Sequence, residues 1–114
     1  MPIQNLIDTL TPLCPKIMEQ GSMAPDEQYP ARFFTFWNHS TPARKHYDNA
    51  AESFVWYVDV NFYSTEHADV YSTLAAAIEK LQAAGWKVGE RGHAVASDHN
   101  THTGRGFTAA YIET

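Results

Sequence analysis

The sequence predicts an α+β domain with the element order α-β-β-α-β-β. A four-stranded, mainly antiparallel sheet carries both helices on one face. Two observations lead to this. Residues 52–64, ESFVWYVDVNFYS, alternate with period two, the mark of a strand. Residues 64–86, STEHADVYSTLAAAIEKLQAAGW, follow at once with helical spacing and stop at a glycine. The 114 residues form one domain, 1–114.

Ile3, Leu6, Ile7, Leu10 and Leu13 recur at helical spacing and open the chain as an amphipathic helix. Pro12 and Pro15 do not fit a helix interior, since each lacks an N–H and clashes with the turn before it. The helix is expected to end near Thr11, or a second short piece starts there with Thr11 as cap and Gly21 as close. GSMAPDEQYP (21–30) carries turn formers without periodicity and reads as a loop. ARFFTFWN (31–38) is rich in aromatics and reads as a strand, with Phe33, Thr35 and Trp37 on one face and Arg32, Phe34 and Phe36 on the other.

HSTPARKHYDNAA (39–51) is polar, contains Pro42, and reads as an extended hairpin loop. Loops of that length in a compact domain are often functional. In the next strand Phe54, Trp56, Val58, Val60 and Phe62 share the face expected to meet the helices. Val55, Tyr57, Asp59, Asn61 and Tyr63 share the other. Ser64 or Thr65 is the expected cap of the second helix, whose stripe is Val70, Leu74, Ala77, Ile78 and Leu81. Gly85 fits the left-handed position after a helix end, with Trp86 packing back over the last turn. WKVGERGHA (86–94) reads as a weak strand, ASDHNTHTGRG (96–106) as a loop, and RGFTAAYIET (105–114) as the closing strand.

The composition sets bounds on function. An apolar share of 44 % with 13 % aromatics is enough for a core and argues against disorder. A net charge of −5 argues against non-specific nucleic-acid binding over the whole surface. Cys14 is the single cysteine, so no disulfide closes within the chain, and a reducing, intracellular site of synthesis is expected. No signal peptide or membrane-spanning run is read at the N-terminus.

No residue set spells out catalysis. Cys14 lies on an apolar stripe and suits a structural thiol. Ser40 and Ser97 lack a nucleophile-elbow context, and the glycines of GWKVGERG do not match a dinucleotide fingerprint. His93, Asp98, His99 and His102 bear the right donor atoms for a metal. They lie in a segment of Asn, Thr and Gly rather than on a helix, so their spacing fixes no common face. A small metal-binding domain is therefore one alternative, and a ferredoxin-like ligand-binding or dimerising domain is another. Arg44, Lys45 and His46 form the one basic knot of an acidic chain, in a loop placed to contact a partner. The sheet's second face, with Val55, Tyr57 and Tyr63, is too apolar to be left in water, so a partner surface is expected to cover it. No cofactor is expected. A base-stacking role for the aromatics is disfavoured, because Asp59 and Asn61 stand where basic neighbours would be needed.

The segments PARFFTFW (30–37), ESFVWYVDVNFYS (52–64), LAAAIEKLQAAGW (74–86) and GFTAAYIE (106–113), with the opening helix, resemble the tail terminators of long-tailed bacteriophages. The resemblance covers nearly the whole chain. It rests on hydrophobic pattern and a Gly-Trp pair. It implies a structural protein of the virion, made in the host cytoplasm of a phage or prophage carrier. Such a protein forms a ring, often a hexamer, that caps the tail tube and joins it to the head connector. Its partners would be itself, the tube protein and the connector proteins, with no membrane and no specific nucleic acid. No motif residue of that family anchors a binding site here, so Arg44, Lys45, His46, Val55, Tyr57 and Tyr63 stand as partner contacts on their own chemistry.

Overall fold

The computed structural model describes residues 2–20, 30–41, 43–44, 53–97 and 101–113, with backbone only at 43–44. Helix α1 spans Pro2–Leu10. Strands β1 (Ile17–Glu19), β2 (Arg32–Ser40), β3 (Ala43–Arg44) and β4 (Ser53–Ser64) follow. Helix α2 (His67–Ala83) precedes β5 (Lys87–Val88), β6 (His93–Val95) and β7 (Thr103–Glu113). The α+β class and both helices agree with the sequence reading.

The sheet runs in the order β1-β2-β4-β7-β5, with β3 beside β4 and β6 beside β7. Strand β4 lies at the centre, antiparallel to β2 from Arg32↔Ser64 to Ser40↔Tyr57 and to β7 from Phe54↔Glu113 to Ser64↔Thr103. A register irregularity at Asn38/Ser40 ends the β2 pairing, and β3 continues along the same edge of β4. On the far side β5 and β6 share one edge of β7, separated by a bend at Gly92, whose φ is 112°. The four expected antiparallel strands are thus present, the third broken into β5 and β6, but the sheet has seven strands rather than four: β1 is added at one edge, and β3 forms within the segment expected to be the 39–51 loop.

The differences have local causes. No second helical piece follows α1. A turn closes over Leu10, where the N–H groups of Leu13 and Cys14 both donate to its carbonyl. The chain then runs straight into β1, which pairs parallel with β2 through Ile17↔Phe34 and Met18↔Thr35. A three-residue edge strand has too short a pattern to read as periodic. The loop expected at 96–106 ends early, because β7 already starts at Thr103. Gly104 and Gly106, which looked like turn residues, lie within that strand. A Cβ at Gly106 would stand 2.0 Å from Asn61 Oδ1 and 2.8 Å from the Val60 carbonyl oxygen. These glycines serve close approach in a ladder, a role that looks the same as a turn in sequence. Residues 21–29 of the first expected loop, most of the 39–51 loop and residues 98–100 lie outside the described residues.

Helix α2 is capped by neither Ser64 nor Thr65. Its cap is Glu66, in extended conformation and with no side-chain bond to the helix. The Ser64 hydroxyl instead accepts from the Glu66 N–H at 3.2 Å, holding the turn between β4 and the helix. The other end agrees with expectation. Gly85 (φ 101°) is the left-handed residue, its N–H donates to Gln82 O, and the Trp86 N–H donates to Leu81 O at 2.9 Å. That pair of bonds defines a Schellman closure.

The core lies between the helices and one face of the sheet. It gathers Leu6 and Leu10 of α1, Leu74, Ala77, Ile78 and Leu81 of α2, and Phe34, Phe36, Val58, Val60, Phe62, Phe107 and Ala109 of the sheet. Cys14 joins it as a buried thiol. The Trp86 indole N–H donates to Asn5 Oδ1 at 2.9 Å and ties α1 to the end of α2.

Candidate assembly surface

Strand β4 has twelve residues and spans about 40 Å at ordinary strand rise. The molecule measures 53 × 28 × 22 Å. The helices therefore cover only part of the sheet. Toward the end of β7, Tyr111 still packs against the core, its ring centroid 5.1 Å from that of Trp86 just after α2. The partial cover corrects the sequence reading at one end of β4. Phe54 and Trp56 share the alternation of the core face, yet Phe54 is 37 % exposed and Trp56 is only half-buried. The Trp56 indole N–H donates to Glu113 Oε1 at 3.0 Å, a bond between neighbouring strands rather than into a core.

No helix among the described residues lies on the opposite face of the sheet. Trp37 (47 %) and Tyr57 (37 %) are its most exposed large apolar side chains, and Val55 is half-buried. Tyr63 is engaged within the chain: its ring stacks on Phe33 at 5.0 Å and lies against Gly104. The sequence grouped Tyr57 with Tyr63 on one face, and the structure places them so. It also separates their roles, leaving Tyr57 outward and Tyr63 in an intrachain stack. A shallow trough of about 530 Å³ crosses this face, lined by Gln20, Trp37, Asp59, Asn61, His93 and Thr108 among others. The Thr108 hydroxyl donates to Asp59 Oδ1 at 2.8 Å and holds that carboxylate across two strands.

The basic knot is placed only in part. Arg44 ends β3 opposite Ser53, at the end of β4 farthest from the first turn of α2, while Lys45 and His46 lie outside the described residues.

The histidines are engaged in local bonds. His93 Nδ1 lies 2.6 Å from Glu90 Oε1, and His102 Nε2 lies 2.8 Å from the Pro30 carbonyl oxygen, to which it donates. His93 pairs with Gly106, four residues along β7 from His102, about 13 Å at normal strand rise. Asp98 and His99 lie outside the described residues. Among the described residues no group of three or more His, Cys, Asp or Glu side chains is placed to hold a metal ion. None of their helices is long and apolar enough to cross a membrane.

Sequence reasoning missed the polar cluster that anchors this scaffold. Arg32 at the start of β2 meets Asp69 in the first turn of α2 through two bonds, Nε–H to Oδ2 at 2.9 Å and Nη2–H to Oδ1 at 3.1 Å. Nη1–H donates to Leu13 O, Nη2–H also reaches Thr73, and the guanidinium lies 5.3 Å from the Phe62 ring centroid. Hydrogen bonding to Arg32 holds the Asp69 carboxyl below its ordinary range, aided by Thr73 and Ser64, against the opposing effect of burial. The same bond raises Arg32 further above its already high value. The signal was an acidic residue near a helix start, which the sequence explains as well by the helix dipole.

No protein-family model matches the sequence, and no curated protein matches it. The fold is similar to that of a chain in the virion of a native gene transfer agent (GTA) particle. The TM-score is 0.58 with 11 % identity, over 92 % of this chain and 84 % of that one. At that identity the likeness establishes a shared fold.

Proposed function

We propose that this protein is a structural component of a tailed-phage or phage-derived particle, and within it a tail-terminator-like protein. It assembles into a ring that caps the tail tube and joins it to the head connector, without catalysis. The observation that carries the reading is the one-sided cover of the sheet. Both helices pack on one face, while Trp37 and Tyr57 are exposed on the other and Phe54 protrudes beyond the helix layer. Exposed aromatics of this kind are characteristic of the centre of protein–protein contacts. The likeness to a chain of a GTA virion supports the same direction, as does the patterned resemblance to tail terminators.

A catalytic reading finds little support. The described ionisable groups with displaced pKa values are Arg32 and Asp69, which satisfy one another at the junction of β2 and α2. The metal reading draws no support from His93 and His102, which lie apart and are bonded to Glu90 and Pro30. A large apolar pocket between sheet and helices would favour the ferredoxin-like ligand-binding reading, and that layer is filled by the core side chains.

The test is assembly. Light scattering and native mass spectrometry at high protein concentration are expected to give a closed oligomer, alone or on addition of the tail-tube protein. A strictly monomeric species under both conditions would defeat the proposal.

A further inference from the structure

Three arginine side chains are described, Arg32, Arg91 and Arg105, and two of them are held in the same way. Arg32 lies 5.3 Å from the Phe62 ring centroid and forks onto Asp69, whose Oδ1 also accepts from the Thr73 hydroxyl at 2.8 Å. Arg105 lies 4.8 Å from the Tyr71 ring centroid and donates to the Gly92 carbonyl oxygen. In both places the guanidinium takes an aromatic ring and an acceptor oxygen beside it.

The open face of the sheet repeats the Arg32 receptor with no arginine in it among the described residues. Trp37 pairs with Asp59 across the ladder, and Asp59 with Thr108. Thr108 donates to Asp59 Oδ1 at 2.8 Å, as Thr73 does to Asp69, and Asp59 Oδ2 has no donor among the described residues. Directly opposed side chains stand about 5 Å apart at Cβ, so one planar group can meet both the Trp37 ring and the Asp59 carboxylate. Gln20 and Asn61 add amide oxygens to the same trough of about 530 Å³.

Arg91 is exposed and has no partner among the described residues. It stands in the bend between β5 and β6 and lines a cleft against α2 with Tyr71 and Glu79. That cleft is on the helix side, so the trough of the same copy lies on the far face of the sheet.

We propose that Arg91 of one copy enters the trough of the next, where its guanidinium stacks on Trp37 and pairs with Asp59. This rests on the ring reading and specifies its joint. A second copy is the occupant because the chain itself supplies the arginine that its trough lacks, and the contact matches the two charges. Each copy donates from its helix-side edge and accepts on its open face. A contact between unlike surfaces propagates from copy to copy until the rotation closes it into a ring.

The test uses the full chain and reads self-association by sedimentation velocity. Arg91→Lys keeps the charge and loses the planar fork. Asp59→Asn keeps an acceptor for Thr108 and loses the charge. Each is expected to weaken self-association at least about tenfold with the urea midpoint unchanged. The combined variant is expected to be no weaker than the weaker single within about twofold, because both changes remove one contact. Wild-type association in Arg91→Lys, or losses that multiply in the combined variant, overturn the joint and leave the ring reading standing. An Asp59→Asn chain that keeps its ring but loses the tail-tube protein also overturns it, by assigning the trough to that partner. A wild-type chain that stays monomeric alone and with the tail-tube protein overturns both.

Discussion

Arg32 and Asp69 are 37 residues apart in sequence and meet through two hydrogen bonds of 2.9 and 3.1 Å. The pair joins the first residue of β2 to the first turn of α2, and Arg32 Nη1–H carries the link on to Leu13 after α1. The side chains are 40 % and 22 % exposed, so solvent screens part of the attraction. Asp69→Ala is expected to cost about 1–2 kcal/mol after that screening, read as a lower urea midpoint at unchanged slope.

The same pair makes a pH prediction. Asp69 is lowered from its ordinary value of 3.8, so its folded form binds a proton less readily than its unfolded form. The stability it contributes is complete above the unfolded value and is lost as pH falls through the folded one. The stability gap between wild type and Asp69→Ala should therefore be constant from neutral pH down to about 5 and close below about 4. A gap that persists unchanged in acid would show that the carboxylate charge is not the source. Arg32, raised further above its already high ordinary value, contributes nothing to pH dependence in that range.

The Trp86–Asn5 bond predicts selective loosening of the N-terminal helix. Trp86 is buried, and its indole N–H is the partner of Asn5 Oδ1. Trp86→Phe keeps most of the packing on Tyr111 and removes the donor, for an expected loss of about 1 kcal/mol. Hydrogen exchange should rise in α1 before it rises in β4.

Gly106→Ala is expected to destabilise by about 1–3 kcal/mol, because the new Cβ meets both Asn61 Oδ1 and the Val60 backbone oxygen. Adding Asn61→Ala should recover only part of this, since the backbone oxygen at 2.8 Å remains. Full recovery in thermal melts would place the whole conflict on the Asn61 side chain.

Trp37→Ser separates stability from assembly. The side chain is 47 % exposed, and its loss should change monomer stability by no more than about 0.5 kcal/mol. If the uncovered face meets a partner in the particle, the same change should weaken assembly on the tail-tube protein by more than tenfold, roughly a hot-spot loss. Unchanged assembly would remove Trp37 from the interface.

Much of the fold was readable because it rests on repeating pattern. The period-two run of β4 told apart Val58, Val60 and Phe62 from Asp59, Asn61 and Tyr63, and burial follows that division. The helical stripe Val70, Leu74, Ala77, Ile78 and Leu81 is buried throughout. The Gly85–Trp86 ending was legible because a left-handed residue after a helix strongly favours glycine. The candidate surface was legible only in part. Pattern named Tyr57 and Tyr63 together, but a ring stacked on Phe33 and a ring facing outward look identical in sequence.

By itself, then, the sequence determined the α+β class, the two helices, the facing of each residue in the long strand, and the absence of a recognisable catalytic motif. All of these follow from local period and residue chemistry. The tertiary structure alone decided where the helix layer stops. Phe54 and Trp56 carry the core-face pattern, yet Trp56, level with Tyr111 in the ladder, is only half-buried and Phe54, two residues further out, is exposed. It also decided that β1 joins β2 in parallel, and that Arg32 finds Asp69. Those outcomes depend on how far one element reaches over another and on which distant groups arrive at the same point, and neither is written in the period of any single segment.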